Sequence, residues 1–332
     1  MGGNALKQIG ITTRRYDKAE YEAISKEVIA SLQSCYLSSV SIPSYRNKET
    51  FGDLDLLVLK VTPWSPDLVE GISKYIKSKG YVINGSVVSI EYKDFQVDLI
   101  ACPEDYFDFS HKYYSYNDLG NLVGRVAHKL GLKFGHDGLS YIYRTDNDTR
   151  VLGTFVLTTD FLDALHFLGF DTIAYLRGFD SLEDIYKFTA SSPYFNPAIY
   201  QLDNRNHAAR IRDKKRSTYM GFLKWLEEPK QQSLPAFEWN KDKTAYLPKL
   251  FNYFARESFE AWYNERTEEE KLRKQFADKF NGELVSEWLG LEGSRLGEVL
   301  KEVKALPWFR DFVLYSTNHQ LASWFKDRNW EP

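Results

Sequence analysis

IPSYRNKETFGDLDLLV, residues 42–58, is the stretch that decides how this chain folds and what chemistry the fold carries. In its second half, Leu54 and Leu56 alternate with Asp53 and Asp55, a period of two that is typical of a β-strand. Alternate residues of a strand project to the same side, so the two carboxylates point together. The stretch therefore predicts a strand with one apolar face and one acidic face.

A third carboxylate interrupts a second apolar run, FQVDLIA, residues 95–101. If the two runs are neighbouring strands, Asp53, Asp55 and Asp98 converge and repel one another unless a cation lies between them. Mg²⁺ prefers such oxygen ligands, and two such ions about 3.5–4 Å apart activate an attacking oxygen and stabilise a leaving one. A lone Asp-x-Asp pair at a strand edge is often only surface charge, but the third aspartate favours a metal site.

The polar segment before the acidic strand is rich in groups that bind phosphate. Its hydroxyl, guanidinium, amide and ammonium donors are Ser44, Arg46, Asn47, Lys48 and Thr50. They lead into Gly52, where the missing side chain lets the backbone approach a phosphate closely. Donors and a metal site within ten residues predict a site for a triphosphate.

Composition excludes several classes of protein. The 332 residues carry 43 Lys and Arg against 46 Asp and Glu, a net charge of −3, which argues against a basic protein that coats nucleic acid nonspecifically. An apolar run long enough to span a membrane is absent, and the first residues lack the apolar core of a secretory signal. The two cysteines, Cys35 and Cys102, fit a reducing compartment, so we expect a cytoplasmic protein without a membrane partner.

The pattern along the chain changes after about residue 178. Before that point, helical periodicity at 17–34, 67–79, 118–133 and 158–169 is mixed with strand patterns at 40–42, 52–61, 82–92, 95–101, 139–143 and 150–156. After it, helices are predicted at 181–190, 215–228, 246–263, 266–280, 283–289, 294–304 and 309–325. The fold class is therefore α+β, a mixed sheet with helices followed by a mostly α-helical C-terminal domain.

One segment of the helical part is basic. NRNHAARIRDKKR, residues 204–216, holds six cations against one acid, Asp213. They are Arg205, Arg210, Arg212, Lys214, Lys215 and Arg216. In a chain of net charge −3 this is the strongest candidate for contact with a nucleic-acid backbone, and a solvated helix face is the alternative.

The acidic motif resembles a known family. Residues 42–58 are similar to the palm motif of the DNA polymerase β superfamily, specifically the family X polymerases, and FQVDLIACPEDYF (95–107) resembles the strand of that family's third carboxylate. The stretches 111–143 and 158–170 resemble its thumb, so the resemblance covers about residues 10–178. It implies a nucleotidyltransferase palm at 1–110 and a thumb-like subdomain at 111–178. The helical periodicity and the basic stretch predict a nucleic-acid-binding helical domain at 179–332.

The resemblance also implies roles for residues. Asp53, Asp55 and Asp98 would hold two Mg²⁺ ions, or Mn²⁺, and are the candidate catalytic residues. Asp98, with Asp55, would also be the place where the primer 3′-OH is activated. The incoming triphosphate would meet Ser44, Arg46 or Lys48, and Gly52. Its sugar would lie near Tyr113 and Tyr114.

This chain departs from the family pattern in ways that bear on its substrate. Pro43 stands where the family has a glycine before the serine, and Ser115-Tyr116 stand where a glycine follows the aromatic pair, so ribonucleotide use stays open. The tail, residues 280–308, has a weaker resemblance to the C-terminal region of CCA-adding enzymes and poly(A) polymerases.

These features predict transfer of a nucleoside monophosphate from an NTP or dNTP to a polynucleotide 3′-OH, with an RNA or tRNA end slightly favoured. The alternatives are a family X-like DNA polymerase that fills gaps, a nucleotidyltransferase that modifies a protein or a small molecule, and a binding protein with a palm that has lost its activity.

Overall fold

A computed structural model describes residues 4–60, 63–145, 150–254, 257–328 and 330. The chain divides into two compact units, of which unit 1 comprises Met1–Ile142 and Thr154–Ala255, and unit 2 comprises Tyr143–Gly153 and Arg256–Pro332. The predicted mixed α/β architecture with a mixed sheet is confirmed, and the described residues after Thr158 form helices and connecting loops.

The strands are short. They are β1 (Tyr16–Asp17), β2 (Ser39–Ser41), β3 (Thr50–Phe51), β4 (Asp53–Leu59), β5 (Tyr81–Asn84), β6 (Val87–Tyr92), β7 (Phe95–Cys102), β8 (Leu132–Gly135), β9 (Gly138–Arg144) and β10 (Val151–Thr158). The central sheet has the order β2-β4-β7-β6-β5, in which β4 and β7 are parallel and the other pairs antiparallel. A two-stranded sheet pairs β1 with β3, and a third sheet has the order β10-β9-β8.

The described part of unit 1 also contains α-helices. They are α1 (Lys18–Ser34), α2 (Pro66–Tyr75), α3 (Phe107–Tyr114), α4 (Leu119–Lys129), α5 (Phe161–Phe167), α6 (Thr172–Arg177), α7 (Leu182–Ala190), α8 (His207–Lys214), α9 (Ser217–Leu226) and α10 (Leu247–Tyr253). Short 3₁₀ helices lie at Ala5–Ile9, Glu104–Tyr106, Pro197–Ile199, Leu202–Asn204, Pro229–Gln231 and Lys243–Tyr246.

The core of unit 1 decides which face of the central sheet is polar. Leu54 and Leu56 of β4 and Val97 of β7 are buried in one cluster with Ile24 of α1 and Ile72 of α2. Because strand residues alternate between faces, the neighbours of these core residues project to the opposite side of the sheet. The hydrophobic effect thus directs one face of β4 and β7 toward the helices and leaves the acidic face outside that core.

Unit 2 is a helical bundle with an aromatic core. Its helices are α11 (Glu257–Lys279), α12 (Gly282–Leu289), α13 (Gly293–Lys304), α14 (Phe309–Tyr315) and α15 (Asn318–Lys326). Phe280, Phe309 and Phe325 are buried together at its centre. Of the helices within the described ranges, none is both long and apolar enough to cross a lipid bilayer.

Three helix predictions were wrong in detail. The predicted helices 246–263 and 266–280 are α10, which ends at Tyr253, and α11, which begins at Glu257. The predicted break near residue 265 is absent because the sequence of α11 has no glycine or proline to interrupt it. The predicted single helix 309–325 is two helices, because Thr317 begins a new one by accepting a hydrogen bond from the Gln320 amide in a capping box.

Candidate functional site

The three predicted carboxylates meet on the central sheet. β4 and β7 are parallel neighbours in which Asp55 lies directly opposite Asp98, and Asp53 is two residues before Asp55 on the same face. One ligand atom from each of the three residues lies within 4.8 Å of the others. Carboxylate oxygens at this spacing are the donors that a hard divalent cation prefers, so the residues fit Mg²⁺ or Mn²⁺.

Electrostatics at this cluster favour a bound cation. The pKa of Asp55 is raised to about 8, first by burial and then by the charges of Asp53 and Asp98, with Lys48 acting in the opposite direction. The pKa of Asp98 is raised to about 6, mainly by burial, although hydrogen bonds from Ser89 and Gln96 lower it. Without a cation the cluster therefore holds protons that ordinary carboxyls release near pH 4.

This shift predicts how stability depends on pH. Because the folded pKa of Asp55 exceeds the unfolded one, the folded state binds the extra proton between about pH 4 and pH 8. We expect the unfolding temperature of the protein in EDTA to fall as the pH rises through that window. We also expect Mg²⁺ at about 100 times its Kd to add about 2.7 kcal/mol to the free energy of unfolding. Thermal melts with and without Mg²⁺ test this. In Asp55→Asn the pH slope should shrink, and an unchanged slope would contradict the assignment.

A buried amide orients the third carboxylate. Gln96, which is 2% exposed, donates from Nε2 to both oxygens of Asp98 at 3.0 and 3.1 Å. Its Oε1 accepts a hydrogen bond from the Ala5 backbone amide at 2.9 Å, which fixes the orientation of the side-chain amide. Gln96 was not among the predicted site residues, although its position two before Asp98 on a strand placed both on one face.

We expect Gln96→Met to weaken divalent-cation binding about tenfold, because residues that orient metal ligands contribute on that scale. Titration calorimetry with Mn²⁺ measures the affinity. The matched control is Gln33→Met, a change at an exposed position on α1. Wild-type affinity in Gln96→Met would show that the amide does not orient Asp98.

A cleft of about 250 Å³ opens beside the carboxylates. It brings together Asp53 and Asp55 with the predicted Ser44, Lys48 and Tyr114. Its other lining residues are Tyr21, Ile42, Pro43, Phe51, Ile100, Asn117, Asp118 and Arg216. The Lys48 ammonium lies 4.6 Å from the centre of the Phe51 ring, and burial lowers its pKa although Asp53 and Asp55 raise it. The cleft therefore combines cation ligands with groups that bind anions.

The structure places Arg46 and Gly52 outside this lining. Gly52 lies between β3 and β4, one residue before Asp53. The Arg46 guanidinium points toward the loop after α6, where it forms an ion pair with Asp180 and donates to the Arg177 carbonyl oxygen at 2.8 Å.

The aromatic pair lies at the end of α3. The rings of Tyr113 and Tyr114 meet edge to face with centroids 5.4 Å apart, and both line a second cleft of about 410 Å³. The turn that follows is made without glycine. Tyr116 and Asn117 both adopt φ of 61°, and Tyr116 is held by a 2.8 Å hydrogen bond from its amide to the Pro43 carbonyl. The chain thus makes a left-handed turn here with Tyr116, which rarely adopts this conformation, and Asn117, which adopts it more readily.

The basic stretch is distributed over several environments. Asp213 is fully buried and forms ion pairs with Arg125 at 2.8 Å and with Arg205 and Arg212 at 3.4 Å each. Lys214 and Lys215 are exposed, and Arg210 is half-buried. Arg212 and Arg216 both line the second cleft, and Arg216 also lines the cleft beside the carboxylates. The stretch therefore contributes to structure and to both clefts.

Comparison with known proteins gave structural likenesses only. No family model and no curated protein sequence matches the chain. Among solved structures, a polymerase beta of Leishmania infantum in a ternary P/T complex matches with a TM-score of 0.35 and 13% identity, over 44% of this chain and 64% of that one. The same enzyme in a ternary gap complex matches with a TM-score of 0.33 and 13% identity, over 41% and 53%. The chain thus spans less than two thirds of either.

Proposed function

We propose that this chain is a Mg²⁺-dependent nucleotidyltransferase that transfers a nucleoside monophosphate from an NTP or dNTP to the 3′-OH of a polynucleotide. The observation that carries the proposal is the convergence of Asp53, Asp55 and Asp98, with ligand atoms within 4.8 Å, beside a cleft that contains Lys48 and Ser44. Metal ligands next to donors for anions are what phosphoryl transfer requires.

In this reaction the 3′-oxygen bonds to the α-phosphorus, the bond from that phosphorus to the β-phosphate oxygen breaks, and pyrophosphate leaves. Asp53, Asp55 and Asp98 would hold two Mg²⁺ ions, which would supply charge neutralisation for the attacking and leaving oxygens. The ionised Asp98 carboxylate accepts the proton of the 3′-OH. Lys48 and Ser44 bind the phosphates, and Tyr114 packs beside the sugar.

Primer extension tests the proposal and separates its alternatives. The protein is incubated with Mg²⁺ and labelled rNTPs or dNTPs on three substrates: tRNA lacking its 3′ end, single-stranded RNA and gapped DNA. We expect extension that EDTA abolishes, with an RNA 3′ end preferred. Extension of gapped DNA with dNTPs alone would assign the chain to gap filling, and no extension of any substrate would contradict the proposal.

The ion pairs within the basic stretch, residues 204–216, support a second candidate function, transfer to a protein or small molecule. Arg205 and Arg212 pair with the buried Asp213, so part of the predicted nucleic-acid surface is neutralised within the chain. Lys214 and Lys215 remain as exposed cations that can be changed without breaking these pairs.

We expect Lys214→Gln/Lys215→Gln to weaken polynucleotide binding, and to reduce the slope of log K against log salt by up to about 2, because each lost phosphate contact removes about 1. Fluorescence anisotropy with labelled RNA and gapped DNA at several salt concentrations measures both. If polynucleotide affinity and its salt dependence are unchanged and the double variant keeps wild-type transfer activity, the second candidate, transfer to a protein or small molecule, would be favoured.

A further inference from the structure

The cleft beside the carboxylates has two cationic side chains among its described lining residues, Lys48 and Arg216. Lys48 was expected there, since it comes from the segment that leads into β4. Arg216 comes from the helical part of the chain, at the junction of α8 and α9, and was expected to contact a nucleic-acid backbone. Because Arg216 lies beside Asp53 and Asp55, it is a candidate for binding a phosphate in this cleft in addition to Lys48.

Arg46 is occupied by structural contacts. Its guanidinium binds Asp180 and the Arg177 carbonyl, and its backbone amide donates to the Phe179 carbonyl at 2.9 Å. The next amide, that of Asn47, donates to the Asp180 carbonyl at 2.9 Å. A β-carbon added at Gly178 would lie 3.0 Å from Arg46 Nη1, so the loop and the guanidinium are closely packed. Arg46 thus joins the segment before β4 to the loop after α6.

Arg216 is built into the cleft by its neighbours. Its backbone amide donates to the Asp213 carbonyl at 3.0 Å, and the buried Asp213 side chain anchors that end of α8 through Arg125 and Arg205. The Arg216 guanidinium pairs with Asp118, which lines the same cleft, and the arginine side chain is 36% exposed. A guanidinium held by one carboxylate at the rim of a cleft can exchange that partner for a phosphate, which it binds through two parallel hydrogen bonds.

We infer that Arg216, and not Arg46, is the guanidinium that binds the phosphates of the nucleotide, exchanging Asp118 for a phosphate when the nucleotide enters. This inference rests on the proposed function and names one residue of its binding site. It makes the helical part of unit 1 a contributor to the nucleotide site, where Lys48 and Arg216 are the cations among the described residues that line the cleft.

Inorganic tripolyphosphate with Mg²⁺ tests the inference, because it lacks base and sugar and reports only phosphate contacts. Titration calorimetry on the full chain compares wild type with Arg216→Gln, Arg216→Lys, Arg46→Gln and Lys224→Gln. The last removes an exposed cation on α9 that does not line either cleft. We expect Arg216→Gln to weaken binding about tenfold to a hundredfold, on the scale of one charge-assisted hydrogen-bonding group. Arg216→Lys should fall between it and wild type.

We expect Arg46→Gln to lower the unfolding temperature and to change tripolyphosphate affinity less than about threefold, and Lys224→Gln to change neither. Thermal melts of every variant separate loss of binding from loss of folding. Wild-type affinity in Arg216→Gln, an equal loss in Arg46→Gln, or no tripolyphosphate binding by the wild type would each overturn the inference. Binding that depends on Arg216 in a protein that extends no polynucleotide would support the inference while the proposed function fails.

Discussion

Asp98→Asn and Asp55→Asn will each reduce nucleotide incorporation at least about a thousandfold, because each removes a negative ligand from a metal site whose charge stabilisation is worth several kcal/mol. The change is nearly isosteric, so it tests charge and ligation rather than packing. The assay is incorporation of labelled nucleotide on whichever substrate the wild type extends, at saturating Mg²⁺.

Thermal unfolding of the same variants shows whether a loss of activity comes from a loss of folding. Removing one of three crowded carboxylates relieves the repulsion that raises the pKa of Asp55, so Asp55→Asn should unfold in EDTA at a temperature no lower than wild type. Asp105→Asn, at an exposed carboxylate on the 3₁₀ helix after β7, should keep full activity. Activity within about tenfold of wild type in either site variant would sink the two-metal assignment.

Asp213→Ala will lower the free energy of unfolding by about 3–5 kcal/mol, the cost of removing one partner from a buried ion pair. Arg125 and Arg205, whose side chains are 10% and 13% exposed, would remain inside the protein without their carboxylate. Urea denaturation measures the effect, and Asp203→Ala, at a nearby exposed position, is the matched control. A loss below about 1 kcal/mol would show that water reaches these arginines readily.

Much of the site could be predicted because it follows from local rules. Residues two apart on a strand share a face, so Asp53 and Asp55 had to project together wherever β4 lay. Asp98 in an apolar strand predicted the third member because an isolated carboxylate there would be costly. The prediction of a helical C-terminal part succeeded for the same reason, since the 3.6-residue period is a local signal.

Contacts between residues distant in the chain could not be predicted from local patterns. The resemblance left open whether Arg46 or Lys48 meets the phosphates, and the basic stretch made Arg216 a candidate for a nucleic-acid backbone. In the structure Arg46 pairs with Asp180, and Arg216 pairs with Asp118 at the carboxylate cleft. Both are arginines in polar segments, and no local property distinguishes them. The spacing of Gln96 from Asp98 places both on one face, but the hydrogen bond that fixes the Gln96 amide comes from Ala5, 91 residues away in the chain.

The sequence by itself determined the acidic strand, its partner carboxylate and the division into a mixed sheet and helices, because side-chain alternation and periodicity act over a few residues. Only the tertiary structure decided that β4 and β7 are parallel neighbours with Asp55 opposite Asp98, and which arginine reaches the cleft. The physical reason is that burial of the apolar face fixes which strands and loops meet. A cation can bind only those carboxylates that the packing of the chain brings close together.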